Sequence, residues 1–237
     1  MNRKKQRIRE YVGWTAIALV IACIMLAISE KVEEYTLQKI IGGIPSSEGE
    51  LVRLLPMGLW LLLISLFILV AVIEAIRKKG RMMLTLYRYG SISKWWRIYF
   101  CGTMSRITIF YVVCMLVWLC TGDRNPNTKT YVLYYYLHII TVVALFLLLD
   151  MVTDKKWISV LLILLDGIGY VLSVHYGMHF LATGMYVRSE KCIDIGFSLE
   201  VTIVIKILLI VCCYCIFPYI WKWERDGRGC TLNGANN

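Results

Sequence analysis

The sequence predicts an all-α polytopic membrane protein: six transmembrane helices, both termini in the cytoplasm, and a short amphipathic helix in the first cytoplasmic loop. Three observations carry that expectation. Apolar residues make up 59% of the 237 residues and charged ones only 18%, against about 45–50% and about 25% in an ordinary soluble domain. Six stretches are long and apolar enough to cross a bilayer core, which takes about 20 residues as a helix. With the N-terminus inside, 18 Lys and Arg fall in inner segments (eight of them from Arg77 to Arg106) and seven in outer ones, and Lys206 lies within a span. That is the positive-inside asymmetry of an even number of crossings.

The first span, Tyr11–Ser29, follows the basic segment Met1–Glu10. No small-residue cleavage site follows it; the chain continues Ser29-Glu30-Lys31-Val32-Glu33-Glu34. It therefore reads as a retained span rather than a cleaved leader. The others are Leu55–Ile76, Thr103–Thr121, Tyr131–Met151, Trp157–Tyr176 and Leu199–Trp221. Each is a continuous apolar run rather than an alternation, so helices are expected and a barrel is not. Tyr11, Trp14, Trp157, Trp221 and Trp223 mark span ends at headgroup level, as do Tyr131 and Tyr134-Tyr135-Tyr136 on the outer side of the fourth. No soluble-looking stretch is long enough for a second domain, so residues 1–237 form one membrane domain. The polar, Gly- and Asn-rich tail Gly227–Asn237 is expected to be disordered.

Several chemistries lack their residues. There is no G-x-x-x-x-G-K-[ST] phosphate loop, H-E-x-x-H, G-x-S-x-G or G-x-G-x-x-G, so neither enzymatic activity nor a cofactor is expected. His175 and His179 stand at i,i+4, but no Cys or acid completes a metal set. The net charge of +10 comes from residues flanking apolar runs, with no nucleic-acid motif, so membrane lipid rather than nucleic acid is the expected anionic neighbour. Of nine cysteines, Cys23, Cys114, Cys120, Cys212, Cys213 and Cys215 lie in or beside apolar runs as small packing residues. Only Cys192 sits clearly in an outer loop, so no disulfide framework is implied.

The inner loop between the second and third spans, Arg77 to Phe100, is basic and aromatic. Arg81–Tyr89 reads as a short amphipathic helix that stops at Gly90. Ser91 or Ser93 then caps a helix that carries Trp95 and Trp96 toward the membrane. Such an element either rests on the inner leaflet or docks a cytoplasmic partner, and the two roles are compatible.

The stretch Tyr87-Arg88-Tyr89-Gly90-Ser91, followed by Lys94-Trp95-Trp96, together with the six-span layout, resembles the small permease subunits of type-2 ABC exporters. It is most similar to the compact permeases beside bacterial peptide and bacteriocin-immunity ATPases. The resemblance spans nearly the whole chain in topology and a short run of residues in sequence. It implies a bacterial plasma-membrane location and a separate ATPase subunit docking on this loop at Met83, Leu84, Tyr87, Arg88, Tyr89 and Ser91. It also implies a second permease copy or a related permease, and an outer segment between spans five and six, here His175–Ser198 with breaks at Gly177, Gly184 and Gly196. Only a short basic stretch precedes the first span, where family members carry a fuller amphipathic helix.

Two charges fall well away from the ends of their spans. Asp166 lies about 14 Å from the inner edge and Lys206 about 10 Å from the outer one at 1.5 Å per residue, so in a core of about 30 Å their levels are close. They read as a packing pair between spans five and six, as a snorkelling lysine, or as part of a substrate or proton path. Glu74 has Arg77 and Lys78 one turn away, and Asp150 is near Lys155, both as charge pairs at the membrane edge. His138 reads as a hydrogen-bonded packing residue. The expected function is an ABC permease moving a peptide or hydrophobic substrate. The alternative is a non-transporting immunity, sensor or interaction protein. A secondary transporter using Asp166 and Lys206 finds no inverted repeat to support it.

Overall fold

A backbone in an apolar run must satisfy its own N–H and C=O groups, because lipid offers no partner. A computed structural model describes residues 13, 16, 20, 41, 54–79, 91–121, 128–153, 157–176, 184–186 and 199–233. Among the described residues every regular element is a helix. The long ones are α1 (Leu54–Lys79), α2 (Ile92–Thr121), α3 (Thr128–Thr153), α4 (Ile158–Tyr176) and α5 (Leu199–Asn233). All five are long and apolar enough to cross a membrane, as in a multi-pass membrane protein. The expected first span lies outside the described residues except for Gly13, Ala16 and Val20, which are helical. The amphipathic segment Arg81–Tyr89 lies outside them entirely.

The third span begins earlier than its apolar run suggests. The helix starts at Ile92, not Thr103, and the Trp95 amide donates to the Ser91 carbonyl at 3.1 Å in its first turn. Trp95, Trp96, Tyr99, Phe100 and Thr103 recur at helical spacing and are buried, while Ser93, Lys94, Arg97, Ile98 and Cys101 face outward. Trp95 and Trp96 are therefore core side chains and not headgroup-level anchors. At the far end of the chain, α5 passes Trp221 and continues to Asn233, through part of the polar tail.

α3 is the centre of the bundle and packs against α1, α2, α4 and α5. A helix that is apolar all round has no face to give to solvent, and residues 138–144 of α3 are all buried. Aromatic rings key the neighbours to it. Trp60 of α1 meets Tyr135 edge-on at 5.0 Å, and Phe67 meets Phe110 of α2 at 5.4 Å. Tyr111 of α2 donates to the Val132 carbonyl at 2.5 Å. α4 packs on α1 and α3, and α5 on α2 and α3; they turn Val160, Leu164, Leu165 and Ile168, and Val204, Ile205, Leu208 and Val211, away from the bundle. Water would penalise such a surface, whereas lipid tails do not.

Pro218 interrupts α5 from within. Proline has no N–H, so the carbonyl four residues earlier, that of Tyr214, loses its helical partner. The indole of Trp96 supplies the missing donor, Nε1 to Tyr214 O at 2.9 Å. Its ring lies 4.3 Å from that of Phe217. The start of α2 is thus fastened to α5 by a tryptophan that both fills space and repairs a backbone gap.

Candidate functional site

Two polar clusters sit in this apolar frame, one toward each end of the helices. At the end where α1 finishes and α2 begins, Glu74 is fully buried, with a side-chain exposure of 0%. Arg77 and Lys78, one turn on, approach its carboxylate at 3.9 and 4.0 Å. Arg106 reaches the same carboxylate from α2. Lys78 also donates to the Tyr99 carbonyl at 3.4 Å and stands over the Tyr99 ring at 5.1 Å. The expected Glu74 pairing with its two helical neighbours is present. Arg106, counted from sequence among the inner-loop cations, is instead an intrahelical charge that ties α2 to α1. Lys155, the partner expected for Asp150, lies outside the described residues.

The second cluster lies in the opposite half. His138 of α3 and Asp166 of α4 meet at 2.9 Å between Nε2 and Oδ2. Lys206 of α5, only 4% exposed, holds its ammonium 3.9 Å above the centroid of the Tyr134 ring. Asp166 lies within electrostatic range of that ammonium. Trp60 stacks along His138 with centroids 6.0 Å apart and planes at 27°. Tyr186 packs edge-on against the same Tyr134 at 5.7 Å. Four helices and the 184–186 segment therefore converge on one imidazole–carboxylate–ammonium group. The sequence placed Asp166 and Lys206 at one level. The structure brings both there and adds His138 as the hydrogen-bond partner of Asp166. Among the described residues no three of His, Cys, Asp and Glu converge as metal ligands would.

No family model, no curated protein and no solved structure matches this chain. What the clusters do is therefore read from their own chemistry. The first is a charge clamp that ties the last turns of α1 to the body of α2. The second is a buried imidazole–carboxylate hydrogen bond with an ammonium seated on an aromatic face beside it.

Gly184, expected only as a loop break, proves to be part of the second cluster. A Cβ built there would lie 2.8 Å from both Cε1 and Nε2 of His138. The backbone of this segment lies directly on the imidazole edge, and only a residue without a side chain fits. Gly184→Ala should push His138 off Asp166 and destabilise the folded bundle by about 1–3 kcal/mol, the usual cost of overpacking. A thermal melt in detergent checks this. An unchanged melting temperature would mean that the segment does not rest on the ring.

Of the residues implied in ATPase docking, Met83, Leu84, Tyr87, Arg88 and Tyr89 lie outside the described residues. Ser91 precedes α2 directly and contributes its carbonyl to the first turn.

Proposed function

We propose that the chain is the permease subunit of an ATP-binding-cassette exporter, with six spans and both ends in the cytoplasm. A separate ATPase subunit supplies the energy, and a second permease copy or a related one completes the path. What supports this reading is how the basic loop is mounted. Residues 80–90 run between the end of α1 at Lys79 and the start of α2 at Ile92. The end of α1 is tied to α2 by Lys78 on Tyr99 and, further into the helix, by the Glu74–Arg106 pair. The start of α2 is tied in turn to α5 through Trp96. A push on the loop is delivered to three helices together rather than absorbed by a hinge.

That arrangement suits a transmission element. ATP binding draws two motor subunits together, the loops ride on them, and the helices pass between two packings of the bundle. The wide apolar faces of α4 and α5 suit a peptide or hydrophobic substrate as well as lipid. Deleting Arg88–Ser91 should abolish copurification of a co-expressed ATPase and its stimulation by the permease, while the chain still inserts and purifies. Unchanged copurification and stimulation would remove the permease assignment and leave the non-transporting immunity or sensor reading.

A further inference from the structure

We infer that residues 184–186 are a re-entrant plug, seated on α3 between α4 and α5, that shields His138 from the water at that end of the bundle. This goes beyond the transport reading and does not depend on it. It starts from what the helices leave open. α4 and α5 both pack on α3 but make at most a marginal contact with each other. They meet the same stripe of α3. Tyr131, Tyr134 and His138 stand at i, i+3 and i+7, which is one face of a helix. Asp166 reaches His138 from α4, and Lys206 reaches the Tyr134 ring from α5. Two helices that flank a stripe without closing on each other leave room above it for a third element.

Residues 184–186 lie on that stripe. At Gly184 the backbone rests on the imidazole edge, where an added Cβ would fall 2.8 Å from two ring atoms. Met185 is 2% exposed and belongs to the hydrophobic core. The Tyr186 ring stands 4.9 Å from that of Tyr131 and 5.7 Å from that of Tyr134. Three residues thus follow one face of α3 from Tyr131 to His138. At 1.5 Å per residue His138 lies about 15 Å along α3 from Thr128, so the segment enters the depth of the bundle. A turn at such a depth is tolerated only where protein buries it or a water-filled cavity adjoins it. Gly184 forms such a turn, and both it and Met185 are buried, which is the first case. The pair beneath benefits, because a hydrogen bond between imidazole and carboxylate is stronger where water is excluded.

The test reads water access to position 138. His138→Cys places a thiol under Gly184, and a charged methanethiosulfonate is applied to the full chain in lipid nanodiscs, with the denatured chain as the fully labelled reference. Beneath the native segment the thiol should stay unlabelled. Tyr186→Ala removes the ring packed against Tyr131 and Tyr134, and Met185→Gln puts an amide in the buried seat. Either should bring labelling to the level of the reference. A thiol introduced by Val143→Cys, at a 0% exposed position further along α3, should stay unlabelled in both. A second measurement keeps the imidazole. In the chain carrying ¹⁵N-histidine, the ring N–H that faces Asp166 should persist in heavy water, and in Tyr186→Ala it should exchange at once. His138→Gln identifies the signal. The proposal is overturned if position 138 is labelled beneath the native segment, if both variants leave it unlabelled, or if position 143 becomes labelled with it. A ring N–H that exchanges equally in the native chain and in Tyr186→Ala overturns it too. Should His138→Cys fail to fold, the exchange measurement decides alone.

Discussion

Replacing Glu74 with Ala should destabilise the bundle by about 3–5 kcal/mol, the loss seen when one partner of a buried ion pair is removed. Three cations approach this carboxylate, but they are not equally dependent on it. Arg77 and Lys78 are 33% and 25% exposed and stand at the end of α1, so both can turn toward headgroups and water. Arg106 is 17% exposed and lies in the body of α2, several turns past Ile92. Without Glu74 it stays in an apolar bundle and loses the carboxylate it touches, and a charge placed in a membrane span costs about 2.5–3.5 kcal/mol on insertion scales. The measurement is the unfolding midpoint in a denaturant titration of the solubilised protein. Pairing Glu74→Gln with Arg106→Met should recover most of the loss, because two well-packed neutral side chains replace a buried pair at little cost. A drop below about 1 kcal/mol in the single variant would place the pair among weak surface contacts.

Trp96→Ala should cost a comparable amount, about 3 kcal/mol, near the low end for a buried tryptophan. Apolar burial against lipid gains less than burial against water, so the loss is mainly packing and hydrogen bonding. The residue is 1% exposed, in contact with the ring of Phe217, and gives its indole N–H to the Tyr214 carbonyl. Trp96→Phe isolates the second role. It keeps a ring in place and leaves the carbonyl without a donor, for about 1–3 kcal/mol. The decisive comparison is Trp96→Phe in a Pro218→Ala background, where residue 218 regains an N–H to offer that carbonyl. The cost of losing the indole should then shrink to that of ring packing alone. An equal cost in both backgrounds would mean that the tryptophan is not compensating for the proline. In the proposed permease, Trp96→Ala also has a functional signature: the ATPase should still copurify, while its stimulation is lost.

The sequence shows the crossing helices plainly, because runs of Leu, Ile and Val have one outcome in lipid. Four of the five described spans begin within a few residues of their apolar runs. The third does not, since Lys94 and Arg97 break the hydropathy of its first turns. Their positions at 94 and 97, against Trp95, Trp96, Tyr99 and Phe100, mark a two-faced helix, and that spacing is the signal an apolar-run reading passes over. The polar clusters are legible only in part. Glu74 finds Arg77 and Lys78 because they share one helix. Arg106 belongs to another helix, and a single sequence does not state which helices touch. The same limit hides His138 as the partner of Asp166, although the depths of Asp166 and Lys206 follow from residue rise alone. Pro218 announces an orphan carbonyl at Tyr214; that Trp96 answers it is a fact of packing. Gly184 looks like any loop glycine until the imidazole beneath it is seen.

The most direct test is the sidedness of residues 80–90, since the proposed motor contact requires that loop to face the cytoplasm. A protease site inserted at position 86 should be cut in inside-out vesicles and protected in intact cells, together with a site at the C-terminus. A site inserted at position 125 should behave the opposite way. Cleavage at position 86 from the cell exterior alone would contradict the orientation, the ATPase docking and the transmission route through Trp96.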